Sequence, residues 1–232
     1  MVIVFDLDDT LYEELSFVRS GFRAVADYLS PIIGLSQKEI VEALNAELQL
    51  QREKVFDRFF IKQGIKSQKM IKSCVSAYRG HQPSLSLFPE ARVCLARLHE
   101  YPIYIVTDGN QLVQRKKFLT LGLDLLVRRC FFTYAHGLHR CKPSPYCFEK
   151  ICQLEQVSPS SVVYVADNPH KDFVGIKPLG FQTIRVLTGP YRLDQVEEDY
   201  EAHLTIPNLQ ALNETLVQNL LSFCQKKVQK HE

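Results

Sequence analysis

Val2-Ile3-Val4-Phe5-Asp6-Leu7-Asp8-Asp9-Thr10-Leu11 stands almost at the start of the chain. Four apolar residues in succession, three of them β-branched, predict a short strand buried on both faces. In a parallel sheet, ligands gather beyond the carboxyl ends of the strands. Asp6 is then presented at that edge, and Asp8 points the same way if the strand direction continues. Two carboxylates held together repel unless a cation sits between them. One could serve as a nucleophile and the other as an acid/base. Three acids in four residues are also compatible with a solvated turn, so the rest of the chain must decide.

Working outward, runs of the same kind recur at Ile103–Val106, Cys130–Phe132, Val162–Ala166 and Ile184–Leu187. Helical patterns separate them. Ala91, Cys94, Leu95 and Leu98 share one face, Leu112 and Leu119 mark a helix that Gly122 stops, and Phe148, Ile151 and Cys152 mark another with Pro145 in its first turn. This alternation predicts an α/β fold, a Rossmann-like parallel sheet in a three-layer α/β/α core. From about Tyr12 to Phe88 the rhythm breaks. Leu15, Val18, Phe22, Val25 and Leu29 share a face, as do Ile40, Leu44 and Leu48, then Val55, Phe56, Phe59 and Phe60, then Ile71, Cys74, Val75 and Tyr78. The expected organisation is a core of residues 1–12 and 89–232 with an all-helical insertion over 13–88. A last helix carries Leu209, Leu212, Leu216, Leu220 and Cys224, covers the sheet, and ends near Lys226-Lys227.

A formal charge of +2 on 232 residues does not by itself suggest a nucleic-acid or membrane-surface binder. No apolar run approaches the roughly 18 residues of a membrane span, and Val2–Phe5 is too short for a signal-peptide core. The expected setting is cytoplasmic. Seven cysteines, an odd number without a CxxC pair, fit small buried hydrophobes in a reducing compartment; Cys141 stands out only because it precedes Lys142.

Three further segments carry chemistry. Thr107-Asp108-Gly109-Asn110 follows an apolar run and offers a hydroxyl, backbone N–H groups and a glycine, which suits phosphate binding as well as a plain strand-to-helix turn. Lys142-Pro143-Ser144-Pro145 places one cation before a proline-stiffened turn, where it could stabilise developing negative charge or simply face solvent. Asp167-Asn168-Pro169-His170-Lys171-Asp172 sets two acids one turn apart after Val162–Ala166, a cradle for Mg²⁺ or a set of helix caps. Jointly the four segments supply a nucleophile, an acid/base, a phosphate cradle, a cation and metal ligands for one reaction.

Together these segments resemble the haloacid dehalogenase (HAD) superfamily. Asp6-Leu7-Asp8-Asp9-Thr10 is similar to its DxDxT motif, Val106-Thr107-Asp108-Gly109-Asn110 to its second, Lys142-Pro143-Ser144-Pro145-Tyr146-Cys147-Phe148 to its third, and Asp167 to Asp172 to its fourth, with Gly175 and Gly180 trailing. Ala166 and Asn168-Pro169 depart from the usual Gly and Ser of that fourth motif. The helical insertion resembles the C1 cap of subfamily I. The resemblance implies a Mg²⁺-dependent phosphomonoester hydrolase. Asp6 would form an aspartyl-phosphate, and Asp8 would serve as acid and then base. Thr107 and the Asp108 N–H would hold phosphate oxygens, and Lys142 would neutralise charge. Mg²⁺ would sit on the Asp6 carboxylate, the Asp8 backbone carbonyl and Asp167, with Asp172 assisting.

Asp8 argues for phosphate over halide, because the metal-independent dehalogenases lack an acid two residues after the nucleophile. A phosphosugar mutase and a catalytically silent binding protein are the other readings. The implied partner is a small phosphorylated substrate, a sugar phosphate or nucleoside monophosphate, with no nucleic acid or membrane, for a monomer or homodimer. Arg52, Lys54, Arg58, Lys62, Lys66, Lys69, Lys72 and Arg79 make the later insertion basic, which is either a solvated face or an attraction for anionic leaving groups. By the resemblance, Tyr12, Phe17 and Arg19 would line the substrate entrance.

Overall fold

A computed structural model of the chain describes residues 1–228, with side chains described to Ser222; those of Cys224, Lys226 and Lys227 lie outside the described residues. Six strands, β1 (Val2–Phe5), β2 (Ile103–Thr107), β3 (Arg129–Phe132), β4 (Val162–Ala166), β5 (Gln182–Val186) and β6 (Leu204–Ile206), form one sheet in the order β3-β2-β1-β4-β5-β6. Every pairing is parallel. The order reverses between β1 and β4, so the sheet has its topological switch point there, where an open α/β sheet leaves a crevice beyond the strand ends.

The four inner strands are buried along their whole length, as continuous apolar runs in a sheet covered on both faces should be. One face packs Val4, Tyr104, Phe131, Phe148, Tyr164 and Phe181 into a single aromatic-rich cluster. The expected α/β sheet is therefore present, with three differences. β3 is an edge strand with only Phe131 buried, because no other described strand pairs with its outer side. β5 begins at Gln182, two residues before the apolar run, since Gln182 and Thr183 pair with Val163 and Tyr164 of β4, and the Thr183 hydroxyl oxygen accepts the His203 N–H at 3.0 Å. β6 escaped the sequence reading altogether; three residues with only Ile206 buried leave no periodic signal.

Contacts divide the chain into two compact units, Met1–Glu14 with Leu85–Glu232, and Leu15–Ser84. The helices of the first are α5 (Pro89–Arg97), α6 (Gln111–Thr120), α7 (Tyr146–Glu155) and α8 (Glu214–Val228). The second unit is helical, built from most of α1 (Glu14–Ile33) with α2 (Gln37–Leu50), α3 (Val55–Lys62) and α4 (Gln68–Gly80). Its core joins Phe22, Val25, Leu29, Ile40, Leu44 and Phe59; Leu15, assigned to that face from sequence, is 36 % exposed at the helix start. Ser36 and Glu39 form a reciprocal capping box on α2. Glu47 is buried and clamped by Arg58 at 3.0 Å and Lys62 at 2.5 Å. Arg58 also donates to the carbonyls of Glu47 and Gln51 at 2.6 Å. Two of the basic residues that might have drawn anions are thus committed to tying α2 to α3. No helix among the described residues is long and apolar enough to cross a membrane.

Candidate active site

Asp6 is the first residue beyond β1, and its N–H still donates to Val165 O at 2.9 Å, which pins it between the central strands. Thr107 closes β2, Asp108 follows it, and Asp167 follows β4. Three adjacent strands therefore deliver their terminal residues to one crevice at the switch point. The third acid of the opening motif has a separate task. Asp9 adopts φ of 54°, and its carboxylate accepts the Glu14 N–H at 2.9 Å, so it turns the chain and caps α1.

Lys142 is the hub. Its Nζ donates to Asp6 Oδ1 at 2.6 Å and to Tyr164 Oη at 3.0 Å and lies 2.7 Å from Asp172 Oδ1. Its backbone N–H donates to Asp108 Oδ1 at 3.2 Å. Asp108 also accepts from Thr133 Oγ1 at 2.6 Å and from Lys171 Nζ at 3.2 Å. Asp172 accepts Tyr164 Oη on Oδ1 at 3.1 Å and the Asn168 N–H on Oδ2 at 3.1 Å. With Lys142 that fills three of the four acceptor directions of the carboxylate. Asp172, proposed from sequence as a metal ligand, is here an anchor for Lys142 with one direction left on Oδ2.

Asp8 and Thr107 belong to a neighbouring cluster. Asp8 Oδ1 accepts from Lys117 Nζ at 2.7 Å and from Tyr12 Oη, while Asp8 Oδ2 accepts from Gln114 Nε2 at 2.7 Å. The same Gln114 Nε2 donates to Thr107 Oγ1 at 2.7 Å. Tyr12 is therefore fully buried under Asp8 and does not face a substrate entrance, and Phe17 is buried against the rings of Tyr78 and His81. Arg19 is exposed.

Lys117 and Gln114 were missed from sequence. Leu112 and Leu119 mark α6 in the sequence, yet they are 77 % and 50 % exposed; the buried residues are Val113, Gln114 and Lys117. Polar residues spaced three apart on a helix that begins at a chemistry-bearing strand end were the available signal.

Burial and charge compete at each acid. Burial pushes Asp6 up to about 7 despite Lys142. It pushes Asp167 to about 9, reinforced by the charges of Asp6, Asp172 and Asp9. At Asp8 burial is overcome by Lys117, and at Asp108 by Lys142 and Lys171, so both stay below the ordinary range. Burial also opposes the charge on Lys142, but Asp172 and Asp6 hold it well above its ordinary value. The unfolded chain loses these protons near 3.8, whereas folded Asp6 and Asp167 keep theirs to about 7 and about 9. Between those values the folded chain binds more protons, so its stability falls as pH rises. In EDTA, the melting temperature is expected to drop steadily between pH 5 and pH 9; a flat profile would contradict the buried, uncompensated state of these acids.

The crevice has more buried negative charge than its own cations offset. Among the described residues, Asp6, Asp8, Asp108, Asp167 and Asp172 are set against the cations Lys117, Lys142 and Lys171. Among the described residues, Asp167 takes one weak hydrogen bond, from Thr10 Oγ1 at 3.4 Å. Among the described residues no three His, Cys, Asp or Glu side chains are gathered as a ready metal cage. The donor set of carboxylate and carbonyl oxygens nevertheless suits a hard dication that retains water ligands.

Close backbone packing supports the crevice. A Cβ on Gly175 would lie 1.7 Å from the Pro143 carbonyl oxygen, so only glycine lets the segment after Asp172 pass under the Lys142 turn. Gly175→Ala is expected to cost about 3 kcal/mol in urea denaturation, and wild-type stability would show that the two segments separate freely.

Residues 1–180 match the family model described as haloacid dehalogenase-like hydrolase. The chain is 26% identical to the glyceraldehyde 3-phosphate phosphatase of Methanocaldococcus jannaschii over 94% of this chain and 97% of that protein. It is 28% identical to the protein of the same name from Pyrococcus furiosus, over 93% and 92%. A solved structure of the HAD-hydrolase YfnB from Bacillus subtilis, bound to magnesium, superposes with a TM-score of 0.69 at 18% identity, covering 94% of this chain and 97% of that one. Sheet order, crevice and family match agree: the chain belongs to the haloacid dehalogenase-like hydrolases.

Proposed function

We propose that the chain is a Mg²⁺-dependent phosphomonoester hydrolase that acts on a small phosphorylated metabolite through an aspartyl-phosphate on Asp6. The observation that carries this reading is the position of Lys142, buried between Asp6 and Asp172, with its backbone N–H on Asp108. It gathers the ends of three strands around one acid that has no structural duty of its own.

In this reading, Thr107 and the backbone after it hold the phosphate oxygens while Lys142 offsets their charge. An Asp6 oxygen attacks phosphorus and the ester P–O bond breaks. Asp8 delivers a proton to the leaving oxygen. It then takes a proton from the water that attacks the phosphorylated Asp6, which releases phosphate and restores the carboxylate. Asp8 rests ionised against Lys117 and is ready for the second step; for the first it must take up a proton. The Asp6 carboxylate, the Asp8 backbone carbonyl and Asp167 would hold Mg²⁺, with Asp172 assisting. When bound, Mg²⁺ supplies the positive charge that keeps the acid and the phosphate from repelling each other.

The helical unit between β1 and β2 serves as the cap. The substrate class is a sugar phosphate or a nucleoside monophosphate, and the names of the archaeal relatives put triose phosphates first for assay. The six cysteines whose side chains are described are free, which fits a reducing, cytoplasmic setting. The purified chain is expected to hydrolyse p-nitrophenyl phosphate and members of a phosphometabolite panel with Mg²⁺ and to stop in EDTA. Mg²⁺ should also raise the melting temperature more at pH 8 than at pH 5.5, because more of Asp6 and Asp167 is ionised there. Inactivity across the whole panel would favour a binding protein that retained the fold.

A further inference from the structure

We infer that Gln114 and Lys117 of α6 are positioning residues that fix which oxygen of Asp8 performs proton transfer and couple it to the phosphate-holding hydroxyl of Thr107. This inference rests on the phosphatase reading. Both side chains are buried, at 2 % and 3 % exposure, in a helix that otherwise leaves its leucines in solvent. A buried ammonium and a buried amide cost stability unless they are fully partnered, and here both donate to Asp8.

The donor count gives the role. Asp8 Oδ1 accepts from Lys117 and Tyr12, which fills both of its lone-pair directions, whereas among the described residues Oδ2 accepts from Gln114 alone. Oδ2 thus keeps the open direction, and it is the oxygen nearer Thr107 through the shared amide. A carboxylate only accepts, so the atom of Gln114 facing it must be the nitrogen. That nitrogen has two hydrogens, and the second is given to Thr107 Oγ1. Thr107 accepts from Gln114, so its own hydroxyl hydrogen is left to point at a phosphate oxygen. One amide therefore aims the donor that holds the phosphate and the carboxylate that serves the leaving oxygen. The cation of Lys117, 5.9 Å from the Tyr12 ring centroid, completes the clamp.

A positioning role predicts selectivity that a merely structural one does not. An alkyl phosphate needs a proton on its leaving oxygen, whereas p-nitrophenolate leaves without one, and kcat/KM reports the step that forms the phosphorylated enzyme. Lys117→Met should lower kcat/KM for an alkyl phosphate by about 100-fold and leave that for p-nitrophenyl phosphate within about threefold. The aryl ester should now show a burst of p-nitrophenolate, since hydrolysis of the intermediate still needs Asp8. Gln114→Glu, of the same shape, reverses the hydrogen bond with Thr107 and should reduce kcat/KM for both esters.

In an Asp8→Asn background, Lys117→Met should change neither ester further, because no carboxylate is left to position. Equal losses on both esters from Lys117→Met, or a multiplicative loss in the Asp8→Asn background, would overturn the inference. If Lys117→Met folds poorly, the Asp8→Asn pair of variants carries the test, with Lys117 facing a neutral partner. Failure of the wild-type chain on both esters would instead sink the phosphatase reading. The clamp itself would then be judged by the melting temperatures of Asp8→Asn, Lys117→Met and the double variant, where additive shifts would refute it.

Discussion

Asp6→Asn is expected to reduce phosphomonoester turnover by on the order of 10⁵-fold while the chain remains folded. The size follows from the role. An amide oxygen cannot displace an alcohol from phosphorus, and no second acid stands where Asp6 does, since Asp8 is held by Lys117, Gln114 and Tyr12 and Asp172 by Lys142, Tyr164 and Asn168. Fold retention follows from the partners. Lys142 loses one anionic contact but keeps Asp172 and Tyr164, and asparagine can still accept from it. The wild-type acid, raised by burial to about 7, is a liability when ionised without a dication. In EDTA at pH 8 the variant should therefore melt at or above the wild type, and at pH 5 the difference should shrink. Steady-state hydrolysis, acid-quenched phosphoenzyme and melting curves test the three parts. A variant within 100-fold of wild-type turnover would show that the phosphoryl group is carried elsewhere.

The parts of this arrangement legible in the sequence share a physical origin. Val2–Phe5 and Val162–Ala166 are readable because strands buried on both faces must be apolar throughout, and the acids after them stand out against that background. Lys142 could be suspected only in company with the other motifs, since a lysine alone does not disclose whether it will be buried. What was hidden depends on tertiary pairing. The buried face of α6 carries Gln114 and Lys117 beside Val113 because it faces a charged crevice, so the leucines that mark the helix do not mark that face. Tyr12 and Phe17 read as aromatic residues near an entrance and are instead buried, one under a carboxylate and the other among rings. β6 is held by its pairing with β5 and by the burial of Ile206, neither of which a three-residue window discloses.

Lys142→Met is expected to be the most damaging single change to stability, and its pH dependence separates charge from packing. The ammonium is almost completely enclosed, and methionine fills a similar volume. Packing alone would therefore cost little. Removing the cation, however, leaves Asp6 and Asp172 buried with Lys171, Tyr164 and backbone donors as the compensation that remains, and breaking a buried pair in this way costs about 3–5 kcal/mol. The acids can escape part of that cost by taking a proton. Asp6 already holds its proton to about 7 because of burial, with Lys142 working against that shift; without the lysine it holds on still longer. The folded variant thus binds more protons than the folded wild type, and its deficit must grow as pH rises. Urea denaturation in EDTA should show a small loss at pH 5 and several kcal/mol at pH 8. Mg²⁺ should recover part of the loss at pH 8 by supplying positive charge to the same acids. Turnover should still fall by about 10³-fold with Mg²⁺ present, because a fixed donor to the developing phosphate charge is gone. A deficit equal at both pH values would mean that Lys142 matters as filler, and the charge argument for this crevice would fail with it.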